Sequence, residues 1–448
     1  MFNDLYLSSR AIYWSFAMGV IYSFAFIYLM SAFAETIAWI CVALIQLGLI
    51  GAAIAGWVLR SNSVESSAGL TGEALKNAQN SQNGLLVVTI VFGILALGFA
   101  CCVFCGFSSL KLAIDVIDAA ADFLATTKRI ILVPVLYFFL TLIMLLIWIG
   151  AFAQVASMNE IKVDYNIPQA KDVVWEKKPT YMALYMLFGI LWICAWLKYT
   201  SSFIVMVSAA TYYFNSSAEQ EGEAEVGLGF NFAYVYHSGS IAIGAFIIAL
   251  IQFIRIVFMY LAEQAEKASG DNPAIKIIVA CGACLLKCIE KICDYINQAA
   301  YAYMAVSGES FCVAAFHGFL LNVKHMLKFS FANMIAKVFI FLGKLAITVG
   351  NCFSLFFIMK NITHDTEEVS SLVGPVVVVG IVSYMTASIF LGLFDTAVLA
   401  LMTCLAIDMD LHDGHPAFGP PTFHDSIGKI DSEKHHKVDD EMMGNEMS

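Results

Sequence analysis

Residues 11–33 (AIYWSFAMGVIYSFAFIYLMSAF) contain no Asp, Glu, Lys or Arg, and apolar runs of this kind recur along the whole chain. A helix needs roughly 20 apolar residues to cross the hydrocarbon core, where every backbone polar group must be satisfied within its own segment. The expected fold is therefore an all-α polytopic transmembrane bundle of about nine spans, eight clear and one polar. Composition agrees, because 60% of the 448 residues are hydrophobic and only 13% are charged, against about 25% charged in soluble proteins. The net charge of −11 sits in loops and the C-terminal stretch, for example at Glu219, Glu221, Glu223 and Glu225. No basic stripe points to nucleic acid.

The spans are expected at 11–33, 36–59, 85–110, 130–153, 181–210, 239–262, 335–359 and 373–403. Lys198, Arg255, Lys344 and Asp395 fall inside four of them. Residues 276–305 interleave apolar runs with Lys287, Glu290, Lys291 and Asp294, and are read as a shielded crossing, the seventh in order, or an interfacial helix. The stretch 311–333, with Lys324, His325 and Lys328, suits an interfacial helix. A transmembrane domain over 1–407 is followed by a flexible polar tail over 408–448, too small and polar to bury a core. The first run is longer than a signal-peptide core and lacks a small-residue cleavage site, so it is read as a retained span. Lys and Arg are spread over both sets of loops and leave orientation open. The sequon Asn361-Ile362-Thr363 makes Asn361 a glycosylation candidate and would put the C-terminus in the cytoplasm. Asn215-Ser216-Ser217 lies too close to a span end to carry a glycan.

Most of the twelve cysteines fall in or beside spans and read as small buried hydrophobes. Cys281, Cys284, Cys288 and Cys293 lie along one helical stripe, a poor frame for tetrahedral zinc, and acylation suits them better. No metal or cofactor is expected. The chain has no His-Glu-x-x-His pair, phosphate-cradling glycine loop or nucleophile elbow, so it does not read as an enzyme. His412-Asp413-Gly414-His415 reads as a solvated turn.

Aromatic residues make up 13% of the chain, and Tyr185, Trp192, Trp196 and Tyr199 share one helix face at spacings of seven, four and three. Such rings are ordinarily packing or interfacial belts. Several lining one cavity would suit a quaternary ammonium, each cation–π contact contributing about 0.5–2 kcal/mol. Glu290 would be the counter-charge or a proton carrier.

The chain resembles the choline transporter-like family in ordered blocks over most of residues 1–420. These include the paired spans closing at Trp39 and Gly48, Ala210-Thr-Tyr212-Tyr213-Phe214, and Ile254-Arg255-Ile-Val-Phe-Met-Tyr260. They continue with Glu290-Lys291-Ile-Cys293-Asp-Tyr295-Ile-Asn297-Gln298-Ala-Ala-Tyr301, Phe311-Cys312, Phe341-Leu-Gly343-Lys344, and Ala406-Ile407-Asp408 followed by Asp413-Gly414. Family members usually carry one more N-terminal span and a large extracellular loop. This chain starts at what resembles the second span, which would leave its N-terminus outside. Asp395 is about a turn from the acidic residue expected in the last span, so no role is transferred to it.

The resemblance implies sodium-independent transport of choline or related organic cations across a plasma or organellar membrane, exchanged for protons and supplying phospholipid synthesis. Membrane lipid is the other expected partner. The site residues expected for it are rings from Trp14, Trp192, Trp196, Tyr295 or Tyr301, with Glu290 supplying charge and Asn297 positioning the substrate. The block from Glu290 to Tyr301 reads equally as a polar helix that packs the bundle. Lys344 reads as an internal ion-pair partner or a snorkelling lysine. A non-transporting scaffold that recruits proteins through its acidic loop and tail is the second reading. A lipid-handling enzyme is disfavoured by the missing motifs.

Overall fold

The computed structural model describes residues 8–66, 72–163, 171–269, 273–359, 373–421 and 423–424. Asn361 lies outside the described residues. The helices are α1 Ser9–Ser66, α2 Glu73–Cys105, α3 Phe107–Thr126, α4 Leu132–Ala156, α5 Lys177–Asn215, α6 Val226–Asn231, α7 Ser238–Ser269, α8 Pro273–Ser307, α9 Phe311–Lys324, α10 Met326–Ile358 and α11 Val373–Leu411. Between α4 and α5, β1 Glu160–Val163 pairs antiparallel with β2 Lys171–Val174, Glu160 facing Val174.

Among the described residues, eight helical stretches are long and apolar enough to cross a membrane: Ser9–Met30, Glu35–Val64, Ala78–Cys105, Lys128–Ala156, Lys177–Asn215, Ser238–Lys267, Met326–Ile358 and Val373–Leu411. They coincide with the eight apolar spans expected, and the protein is an all-α integral membrane bundle. The first two spans are halves of α1, separated at Phe33, whose backbone (φ −137°, ψ 21°) leaves the helical region.

Two boundaries and one further helix differ from the sequence reading. Gly106 (φ −105°, ψ 24°) closes α2 at Cys105 rather than at 110. A Cβ there would lie 2.8 Å from the Cys102 carbonyl oxygen and 2.9 Å from the Phe331 ring, so only glycine fits without displacement. The separate helix α3 follows. Its Asp115, Asp118 and Asp122 interrupt the apolar pattern, while Ile114, Ile117, Ala120 and Phe123 are buried. The break expected near 334 falls instead at His325 (φ −107°, ψ 31°). Residues 326–333 therefore belong to the spanning helix α10 and not to an interfacial one.

The chain forms two compact units. The first comprises residues 1–125, 326–398 and 421–448, and the second residues 126–325 and 399–420. In the first, α1 packs along α2 and α10. The buried Asn351 of α10 donates from Nδ2 to the Ser15 carbonyl (2.8 Å) and to Ser383 Oγ (2.7 Å), tying three helices where lipid offers no alternative partner. Lys344 lies 5.6 Å from the Tyr384 ring centre in a cation–π arrangement.

The second unit holds the residues of interest. Its α8 is too polar to count among the eight, yet it runs antiparallel to α7 through most of its length. Gly282 meets Phe258, Glu290 meets Arg255 and Gln252, Asn297 meets Gly244, and Tyr301 meets Ile241. From Gly282 to Tyr301 this register covers about 29 Å at 1.5 Å per residue, close to the hydrocarbon thickness. Over that distance Glu290 and Asp294 of α8 are paired with side chains of α7 and α5.

At the other end, the segment expected as a tail from 408 begins inside α11. Buried Asp408 accepts hydrogen bonds from Tyr213 Oη (2.9 Å) and the Phe418 amide (2.9 Å), with His412 Nδ1 at 2.8 Å. The Gly419 amide donates to the Tyr213 carbonyl (3.1 Å), so residues after α11 fold back onto the end of α5. Asp413 (φ 52°) and Gly414 (φ 94°) make the turn in left-handed conformations that suit these residue types.

Candidate functional site

The rings gather on α5. Helix formation there places Phe188, Trp192 and Trp196 on one face at intervals of four, and the neighbouring α7 supplies Phe246 and Phe253. Phe188 stands edge-on to Phe246 (5.6 Å) and Phe253 (5.7 Å), and Trp192 edge-on to Phe246 (5.4 Å). Trp192 Nε1 donates to the Ala242 carbonyl at 3.0 Å. Trp196 meets Tyr234 edge-on at 6.2 Å, and the Tyr234 and Tyr137 hydroxyls are 2.6 Å apart.

Trp192, Ile193 and Trp196 form one wall of a cavity of about 350 Å³, with Ser238, Gly239 and Ala242 at the start of α7 opposite. Small residues on that side leave open space before the indoles, and a Cβ on Gly239 would touch nothing within 4 Å. Trp196 Nε1 is buried with no hydrogen-bond partner, so the donor is enclosed and the wall presents the ring. Just before α7, His237 packs on Phe203 (5.6 Å), and burial lowers its pKa, keeping the ring neutral.

A second cavity of about 400 Å³ lies between α5, α7 and α8. Its lining includes Lys198, Tyr199, Gln252, Arg255, Lys287, Glu290, Lys291 and Asp294. Glu290 is held by Arg255 Nε (3.3 Å) and Gln252 Nε2 (3.0 Å). Asp294 takes Lys198 Nζ (3.3 Å), Gln298 Nε2 (2.8 Å) and the Tyr199 hydroxyl. Lys198 also lies 4.8 Å from the centre of the Tyr199 ring.

The residues singled out from sequence thus separate. Trp192 and Trp196 come together at the aromatic cavity, and Glu290 lines the charged one. Asn297 and Tyr301 line neither. Both are buried, Asn297 Nδ2 donating to the Gly244 carbonyl (2.8 Å) and Tyr301 Oη to the Ile241 carbonyl (3.0 Å), so they pack α8 onto α7. Tyr295 Oη donates to Asn322 Oδ1 (2.7 Å) on α9. Trp14 is on α1 in the first unit, 58% exposed. Sequence reasoning missed Tyr234, Ser238, Gly239 and Ala242. The small-residue run Ser238-Gly-Ser-Ile-Ala at a span start was the available signal. It marked Lys198 and Arg255 as charges within spans, but not their partners.

A sequence profile described as plasma-membrane choline transporter matches residues 90–410. Choline transporter-like protein 2 of Dictyostelium discoideum is 24% identical over 405 residues, covering 89% of this chain and 62% of that protein. Choline transporter-like protein 1 of Xenopus laevis is 24% identical over 390 residues, 86% of this chain and 58% of the relative. Choline transporter-like protein 5 of Xenopus tropicalis reaches 32% identity over 208 residues, 45% of this chain and 29% of the relative. The chain therefore spans about three-fifths of the length of the first two relatives. The match over 90–410 takes in every helix that builds the two cavities, and on it the chain belongs to the plasma-membrane choline transporter family.

Proposed function

We propose that this protein is a transporter and not an enzyme, carrying choline or a related quaternary ammonium across its membrane, independently of sodium and in exchange for protons. The observation that carries the reading is the cavity walled by Trp192 and Trp196, within a chain of this family. A quaternary ammonium has no N–H to donate and is desolvated at low cost. Indole faces are its natural partners. Trp192 and Trp196 are the substrate-binding residues in this reading, with Trp14 and Tyr295 left without an assigned part. Glu290 has both carboxylate oxygens engaged by Arg255 and Gln252, so any direct contact with substrate requires it to leave that pair. The C-terminus is cytoplasmic in this reading.

The test is uptake of labelled choline by liposomes containing the purified chain, with and without sodium and with and without a pH gradient. Saturable uptake competed by other quaternary amines is expected. Trp196→Ala should raise KM about 2- to 30-fold, the range of one lost cation–π contact. Uptake no greater than in protein-free vesicles, from correctly inserted protein, would discard transport in favour of the scaffold.

A further inference from the structure

The charged cavity has the wrong sign for an organic cation. Lys198, Arg255, Lys287 and Lys291 face it with only Glu290 and Asp294 to offset them, an excess of two positive charges. Both carboxylates are already engaged, Glu290 by Arg255 and Gln252 and Asp294 by Lys198, Tyr199 and Gln298. Lys287 and Lys291 have no hydrogen bond or ion pair among the described residues. They stand four apart on one face of α8, an arrangement of like charges that repels itself. The cavity also lies deep. Gln252 and Arg255 are near the middle of the apolar span Ser238–Lys267, where uncompensated charge is most costly and marks a functional position.

We propose that this cavity binds a phosphate group, whose two negative charges match the excess. Arg255 gives only Nε to Glu290 and keeps its terminal N–H donors for the fork geometry that phosphate accepts, and Lys287 and Lys291 supply mobile ammonium donors beside it. Glu290 and Asp294 are positioning residues that hold Arg255 and Lys198 against the wall. The volume of about 400 Å³ admits inorganic phosphate or the head of a phosphate ester. The site is separate from the Trp192–Trp196 cavity and stands whether or not choline is carried.

Titration calorimetry on the purified chain in neutral detergent tests this with inorganic phosphate as the probe, against potassium chloride at equal ionic strength. Saturable binding of phosphate and none of chloride is expected. K287A/K291A should weaken it at least about tenfold, as for two lost charge-assisted contacts, while K287R/K291R retains it. Size-exclusion profiles matching wild type establish that both variants are folded. Equal heats for phosphate and chloride, or unchanged affinity in K287A/K291A, would overturn the proposal. Phosphocholine and phosphatidic acid in mixed micelles distinguish the sources. Tighter binding of the former identifies a soluble ester, and competition only by the latter identifies a lipid headgroup. An outcome in either direction leaves the choline uptake assay undecided, so the two readings fail separately.

Discussion

Gly244 shows how closely α7 and α8 are fitted. A Cβ at this position would collide with the Tyr301 hydroxyl and approach Phe311 Cε2 to 2.7 Å. Gly244→Ala should therefore destabilise the second unit by about 1–3 kcal/mol, the usual cost of overpacking, read as a lowered Tm in detergent. Tyr301→Phe alone should cost about 1 kcal/mol through the lost bond to the Ile241 carbonyl. In the double variant part of the Gly244→Ala loss should return, because the colliding hydroxyl is gone. Strict additivity would show that the two positions do not meet. Asn297 and Tyr301, proposed as ligands from sequence, both donate to backbone carbonyls of α7. A polar side chain facing a neighbour's backbone carbonyl has the same one-dimensional pattern as one facing a substrate. Glu290 was legible as an acid within a crossing. Its partner Arg255, on a different helix, was not.

Helices were readable where apolar length alone decides them, as in all eight apolar spans. They were unreadable where charge is compensated by a neighbour. The carboxylates of α3 broke its apolar pattern, and the end of α9 at His325 follows a backbone break with no glycine or proline to announce it. For α8, periodicity permitted either a crossing or an interfacial helix. Its antiparallel register against α7 favours a crossing, which predicts opposite accessibility at its two ends. In a cysteine-free background, Lys267→Cys before α8 and Glu309→Cys after it should react with a membrane-impermeant maleimide from opposite sides of sealed vesicles. Labelling of both from the same side would return α8 to the interface.

The two units divide the chain's polar features unequally. The first is tied internally through Asn351 and the Lys344–Tyr384 contact. The second holds both cavities and the folded-back segment after α11. Family membership was legible across most of the chain, because ordered blocks survive where single motifs carry little weight. The division of rings from charges between two cavities was not, since Trp196 and Lys198 are near neighbours in sequence and only helix packing sends them to different spaces. The indole nitrogen of Trp196 is enclosed without an acceptor and that of Trp192 is taken by the Ala242 carbonyl, so neither ring offers a donor to the cavity. The rings are then left to hold a solute by its methylated cationic head, whatever the rest of it carries. Choline and tetramethylammonium should consequently compete about equally in the uptake assay. Trp196→Phe, which keeps a ring and deletes the enclosed donor, should leave their ratio unchanged.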